Sequence, residues 1–123
     1  MKHNPVGWFE IYVQDIERAK KFYESVFQCT LDKLNSPGIE MWGFPMEPTR
    51  WGAGGSLVKM DGVPSGGNSI LVYFSCDDCA SEESRAEQAG GRIKQAKTAI
   101  GEYGFISLLF DSEGNLIGLH SMK

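Results

Sequence analysis

The sequence predicts an α+β fold in which a strand and a helix, followed by two or three more strands, form a unit that is used twice. Three observations predict it. A β-branched and aromatic run leads through an aspartate into a helical run twice within 123 residues. Landmarks in the two halves keep one separation: Asp15 and Asp77 lie 62 positions apart (77 − 15), as do Gln28 and Gly90, and Phe44 and Ile106. The chain then closes on two strand-like runs, "GFISLLF" and "LIGLHS", joined by the turn "DSEGN". Residue identity between the halves is low, so the repeat is one of pattern. It divides the chain into module one over 1–62, a linker over 63–68 and module two over 69–123.

Each element has its own local reason. "VGWFEIYV" (6–13) is rich in strand-forming residues. Asp15 supplies an N-cap, and "IERAKKFYESVF" places Ile16, Ala19, Phe22, Tyr23, Val26 and Phe27 on one side at helical spacing. "NSPG" (35–38) reads as a turn, "IEMWGF" as a strand, "EPTRWGAGG" as a long loop and "SLVKM" (56–60) as a further strand. The irregular "DGVPSGGN" (61–68) is the best linker candidate. "SILVYFSC" (69–76) is again a strand, Asp77 or Asp78 caps the helix "CASEESRAEQA", and Gly90 and Gly91 end it.

Bulk properties narrow the function. Apolar residues make up 41% of the chain and charged residues 23%, an ordinary globular composition. The net charge of −4 and the lack of a Lys/Arg cluster argue against nucleic acid, which demands a basic patch. "MKHNPVGWFE" holds no apolar run of signal-peptide type, and "SILVYFSC" is too short to span a bilayer. Three cysteines, an odd number without dense spacing, suit a reducing compartment. The expectation is a single cytoplasmic domain with no membrane partner.

"VGWFEIYVQDIERAKKFYESVFQ" resembles the opening of vicinal oxygen chelate proteins, the glyoxalase, bleomycin-resistance and extradiol dioxygenase superfamily. "DSEGNLIGLHS" is similar to that family's closing strand, and "GEYGFISLLF" to the strand before it. The resemblance spans nearly the whole chain. It implies two βαβββ modules whose mixed sheets curl into a cup with the helices outside, and it implies a homodimer. Strand alternation agrees with such a cup. Phe9, Ile11 and Val13 would lie beneath the first helix, leaving Trp8, Glu10 and Tyr12 on the other face. In the last strand Ile117 and Leu119 are the apolar set, so Gly118 and His120 turn to the cup.

Metal-dependent relatives place His and Glu at four cup positions. By distance from the capping aspartates, the resemblance puts Trp8 and Ile70 at two of them. The closing strand puts Gly118 at the third, with Ser56 as its repeat mate; a one-residue slip would substitute Leu71 or Gly55. None of these side chains is an imidazole, carboxylate or thiolate. The expectation is therefore no metal and no other cofactor, with space and apolar surface at Gly118 where relatives carry a ligand. Trp8, Tyr12, Trp42, Ile70 and Phe74 would make an apolar, aromatic lining, and Glu10 and His120 are the ionisable groups aimed into it. No catalytic residue is assigned.

The remaining motifs carry less. "CDDC" (76–79) has redox spacing, but Asp77 and Asp78 oppose a thiolate. "GAGG" (52–55) lacks the Lys and Ser/Thr of a phosphate loop. Glu40, Glu47 and Glu102 read as solvated, and Tyr103 as a residue at the cup mouth. The first functional reading is metal-free binding of a small, partly apolar molecule. The alternatives are a lyase, isomerase or dioxygenase with rearranged donors, and an interaction partner whose cup is filled by its own side chains.

Overall fold

The structure, a computed structural model, describes residues 2–112 and 114–123. Its element order is β1 (Val6–Tyr12), α1 (Ile16–Phe27), β2 (Asp32–Lys33), β3 (Glu40–Gly43), β4 (Gly54–Lys59), then β5 (Ile70–Ser75), α2 (Cys79–Gln88), β6 (Arg92–Ala99), β7 (Phe105–Phe110) and β8 (Leu116–Ser121). The series βαβββ thus occurs twice, and the fold is α+β. The described residues hold eight strands and two α-helices, with one 3-10 turn at Gly101–Tyr103. Part of the predicted "DSEGN" turn, Glu113, lies outside the described residues.

The chain forms two compact units. One comprises Phe9–Ile70; the other joins the residues up to Trp8 to Leu71–Lys123. In the first, strands run in the order β2-β3-β4-β1, with antiparallel pairing of β2 to β3 and β3 to β4. In the second the order is β1-β5-β8-β7-β6, where β5 and β8 pair in parallel and the rest of β6–β8 antiparallel.

Each unit builds its core between its own helix and one sheet face. In the first, Ile16, Leu31 and Leu57 are buried, with Ile11, Val13, Ala19 and Tyr23 packed on them. Phe9, Phe44 and Tyr23 continue that core, with ring centroids 5.5 and 5.6 Å apart. In the second, Cys79, Leu109 and Leu119 are buried, with Phe74, Ala86, Ile93 and Ile117 around them. Burying a side chain the size of Leu57 stabilises by about 1.5–3 kcal/mol.

The helices start and stop as their ends dictate. Asp15 accepts from the Arg18 N–H at 3.0 Å, and Asp78 from that of Ala80 at 2.9 Å. Each helix closes through a left-handed residue, Gln28 (φ 50°) and Gly90 (φ 97°), after which Cys29 and Gly91 donate back to Glu24 and Ala86.

The cap of α2 is Asp78, not Asp77. Asp15 and Asp78 are 63 apart (78 − 15), while the helix terminators remain 62 apart. The uniform 62-residue offset is therefore broken by one residue. The third landmark pair breaks as well: Phe44 packs on the α1 core, whereas Ile106 sits opposite His120 on the face away from α2. β6 escapes sequence reading for a physical reason. It is an edge strand, its register shifts twice along β7, and Lys94 and Lys97 interrupt any apolar run.

Candidate functional site

In the unit Phe9–Ile70, Ile11 and Val13 point into the α1 core, so Glu10 and Tyr12 emerge on the opposite face. They are joined there: the Tyr12 hydroxyl donates to Glu10 Oε1 at 2.6 Å, a short charge-assisted bond. Ser56 shares that face, because its neighbour Leu57 belongs to the α1 core. Ser56 is 0% exposed, and its hydroxyl has no hydrogen-bond partner among the described residues. Directly across the β3–β4 ladder stands Gly43.

Trp42 departs from expectation. It pairs with Leu57, so it shares Leu57's face and packs on the α1 core. Lys20 of α1 lies 3.4 Å from the indole centroid, and the indole N–H donates to Glu40 at 3.1 Å. Trp42 is thus a helix-side residue. Ile70, the first residue of β5, is 59% exposed.

In the second unit, Trp8 is half-buried on β1, and the neighbouring β5 turns Leu71 and Tyr73 inward as buried residues. The one-residue change at the cap makes Leu71, rather than Ile70, the positional counterpart of Trp8. The same slip sends Phe74 to the α2 side, against Cys79, Leu109 and Leu119, and away from the face where Phe74 was expected. Gly118 does not leave open space either. It sits opposite Tyr73 in the parallel ladder, and a Cβ there would overlap the Tyr73 ring. The glycine makes room for a neighbouring aromatic. His120 follows on the same face of β8, where Nε2 lies 2.6 Å from the Tyr103 carbonyl. A carbonyl can only accept, so Nε2 carries a proton and donates it to this contact.

The positions that the resemblance marks for metal ligands do not fit a divalent cation. Trp8, Ser56, Gly118 and either Ile70 or Leu71 offer no imidazole, carboxylate or thiolate. No group of three or more His, Cys, Asp or Glu is placed to hold a metal among the described residues.

A groove of about 570 Å³ lies on the α2 side of the second unit, lined among others by Phe74, Cys76, Glu82, Ala86, Leu109 and Leu119. Burial pushes the Cys76 thiol up to about 12, and Glu82 beside it adds to the effect. Cys79 is buried, where it accepts from the Ser121 hydroxyl at 3.1 Å. All three cysteines are free thiols. The "CDDC" pair thus has the environment of packing residues rather than of a thiolate couple.

Sequence reading missed Tyr73 and Gly43, and with Gly43 the side chains of Leu34 and Met46, which lie 3.1 and 3.2 Å from where a Gly43 Cβ would stand. A signal existed for Gly43: it interrupts the strand "IEMWGF", and glycine within a strand marks a close approach by another group.

Residues 6–119 match the model of the Glyoxalase/Bleomycin resistance protein/Dioxygenase superfamily. "Putative glyoxylase CFP32" of Mycobacterium tuberculosis is 28% identical over 115 residues, covering 92% of this chain and 44% of the relative. The Mycobacterium bovis protein of the same name matches equally. This chain therefore spans less than half the length of these curated relatives. Among solved structures, a hypothetical protein from Bacillus halodurans superposes with a TM-score of 0.75 at 14% identity, over 99% of this chain and 96% of that one. Methylmalonyl-CoA epimerase from Mycobacterium tuberculosis gives 0.70 at 16%, over 97% and 88%. A single-residue variant of the Streptomyces coelicolor epimerase, in complex with 2-nitronate-propionyl-CoA, gives 0.69 at 15%, over 96% of each chain.

Proposed function

Because the chain belongs to the glyoxalase/bleomycin resistance protein/dioxygenase superfamily, we propose that it binds a small, partly apolar molecule on a sheet face that a unit turns away from its own helix, without a resident cation. The observation that carries this reading is the donor set. Trp8, Leu71 and Gly118 in one unit carry aromatic, aliphatic and hydrogen side chains, Ser56 in the other carries a hydroxyl, and neither unit offers a divalent metal adequate ligands at these positions. The faces still carry polar anchors: the Glu10–Tyr12 pair in one unit and His120 in the other. A few placed polar groups on an otherwise apolar wall are the usual make-up of a small-molecule site. The epimerase named in complex with a CoA ester supports small-molecule binding by this fold. In this reading the protein is a cytoplasmic homodimer with no nucleic-acid partner. Among the described residues, no helix is long and apolar enough to cross a membrane.

The test is the metal content of untagged protein, with melting followed on addition of Ni, Zn, Mn or Fe. The expected result is sub-stoichiometric metal and an unchanged melting temperature, since a ligand held only by the native state must raise it. A stoichiometric cation, removed only by a chelator, would overturn the proposal.

A further inference from the structure

A buried hydroxyl left without a partner costs about 1–3 kcal/mol, and an alanine in its place would avoid that cost. Ser56 is such a hydroxyl: fully buried, in the middle of β4, with no partner among the described residues. A buried polar group left unpaired in a regular strand calls for an explanation. Its surroundings supply one. Gly43, its partner across the ladder, has no side chain, so no β3 side chain stands directly opposite the hydroxyl. Two chain tips close that space instead: Leu34 Cδ2 and Met46 Cε lie 3.1 and 3.2 Å from where a Gly43 Cβ would stand. Met46 is 49% exposed, so its side chain runs from solvent to the covered spot. Methionine has three rotatable bonds and an adaptable thioether, and it moves aside cheaply.

Resting on the proposed small-molecule function, we infer that Ser56 Oγ anchors the ligand through an uncharged oxygen, a carbonyl or hydroxyl, and that the ligand gains access by displacing the Met46 side chain. The chemistry selects against an anion. Leu34, Met46 and Gly43 bring no positive charge, and an ion taken into such surroundings without a counter-charge pays a large desolvation penalty. Glu10, on the same face of the adjoining strand β1, adds a repelling carboxylate. A neutral oxygen, by contrast, gives the serine the partner it lacks.

The probes are acetophenone, ethylbenzene and benzoate, one ring size carrying a ketone, no oxygen and a carboxylate. Each is titrated into the full chain bearing 13C-methyl methionine, with the Met46 resonance assigned through Met46→Leu. Acetophenone is expected to shift the Met46 methyl and to bind about tenfold more tightly than ethylbenzene or benzoate, as one buried hydrogen bond allows. Ser56→Ala should bring acetophenone down to the level of ethylbenzene, leave ethylbenzene unchanged, and melt no lower than the natural protein. Equal acetophenone binding by both proteins, or tightest binding by benzoate, overturns the inference while the proposed function stands. So does a clear fall in the melting temperature of Ser56→Ala, which would reveal a hydroxyl already satisfied. Binding by none of the three also overturns it, and the metal test then decides the proposed function alone.

Discussion

Phe9–Ile70 and the unit containing Leu71–Lys123 are made from the same βαβββ series, and both lay an aromatic ring from an early strand across a glycine in a late one. In the first, a Cβ on Gly55 would overlap Phe9; in the second, one on Gly118 would overlap Tyr73. The faces differ. Phe9 lies on the helix side, with Phe44 and Tyr23, whereas Tyr73 turns to the side opposite α2, since its neighbour Phe74 packs under that helix. A single residue separates the two arrangements, because side chains in a strand alternate with period two. Phe9 stands six residues before its cap Asp15 (15 − 9) and Tyr73 five before Asp78 (78 − 73), so the two rings leave opposite faces, and the second unit fills the place beside Gly118 with its own phenol. The first unit leaves a hydroxyl covered at the corresponding position.

The contrast yields experiments of decreasing size. The largest concerns Cys76, which occupies the place that Val13 holds in the other unit, each packed on its own helix-side core. With its thiol pushed up to about 12 from an ordinary 9.0, alkylation by iodoacetamide at pH 8 should run roughly a thousandfold slower than in the unfolded chain. The stability gained by burying the neutral thiol is fully present below pH 9.0 and is lost as pH rises from there towards 12. Rapid, stoichiometric labelling of the folded protein would mean that Cys76 is not a valine-like packing residue.

Next come the glycines. Gly118→Ala and Gly55→Ala should each destabilise by about 1–3 kcal/mol in urea unfolding, because a methyl group is forced against a buried ring. Combining Gly118→Ala with Tyr73→Ala should remove most of the added penalty, and Gly55→Ala with Phe9→Ala likewise. Simple additivity in either pair would show that the ring and the glycine are not coupled.

The caps differ by less. Asp78 accepts from the Lys97 ammonium at 2.9 Å as well as from Ala80, and this pairing holds its carboxyl below the usual range. Asp78→Ala should therefore lower the melting temperature by a few degrees, more than Asp15→Ala. The contribution of Asp78 is present above the ordinary carboxyl value and disappears as pH falls through its own lower one. Melting curves of both variants at pH 7 and pH 2.5 would expose a missing difference. Smallest is Lys20→Met, which removes the cation over Trp42 while keeping the aliphatic stem. About 0.5–1 kcal/mol should be lost, with a shift in tryptophan emission.

Much of this was legible locally. The pattern of "VGWFEIYVQDIERAKKFYESVF" carries a strand, a cap and a helix in consecutive residues, and "LIGLHS" marks β8 with its bounds. What was not legible depends on partners distant in sequence. Trp42 reads as an aromatic available to a ligand until its pairing with Leu57 gives it a face. The faces of Phe74 and Ile70 hang on a single residue, because "CDDC" offers two adjacent aspartates and either side chain can cap a helix. β6 lacks an apolar run and is a strand only because β7 lies beside it.

By itself, the sequence determined the α+β class, the strand–cap–helix start of each half with further strands behind it, and the stop of each helix at Gln28 and Gly90. These follow from side-chain chemistry and from spacing within a dozen residues. Tertiary structure alone decided that Asp78 caps α2, that Tyr73 covers Gly118, and that Ser56 is sealed beside Gly43 beneath Leu34 and Met46. Each depends on which strand lies alongside and in what register, and a period-two pattern cannot reveal a register until a neighbour imposes one.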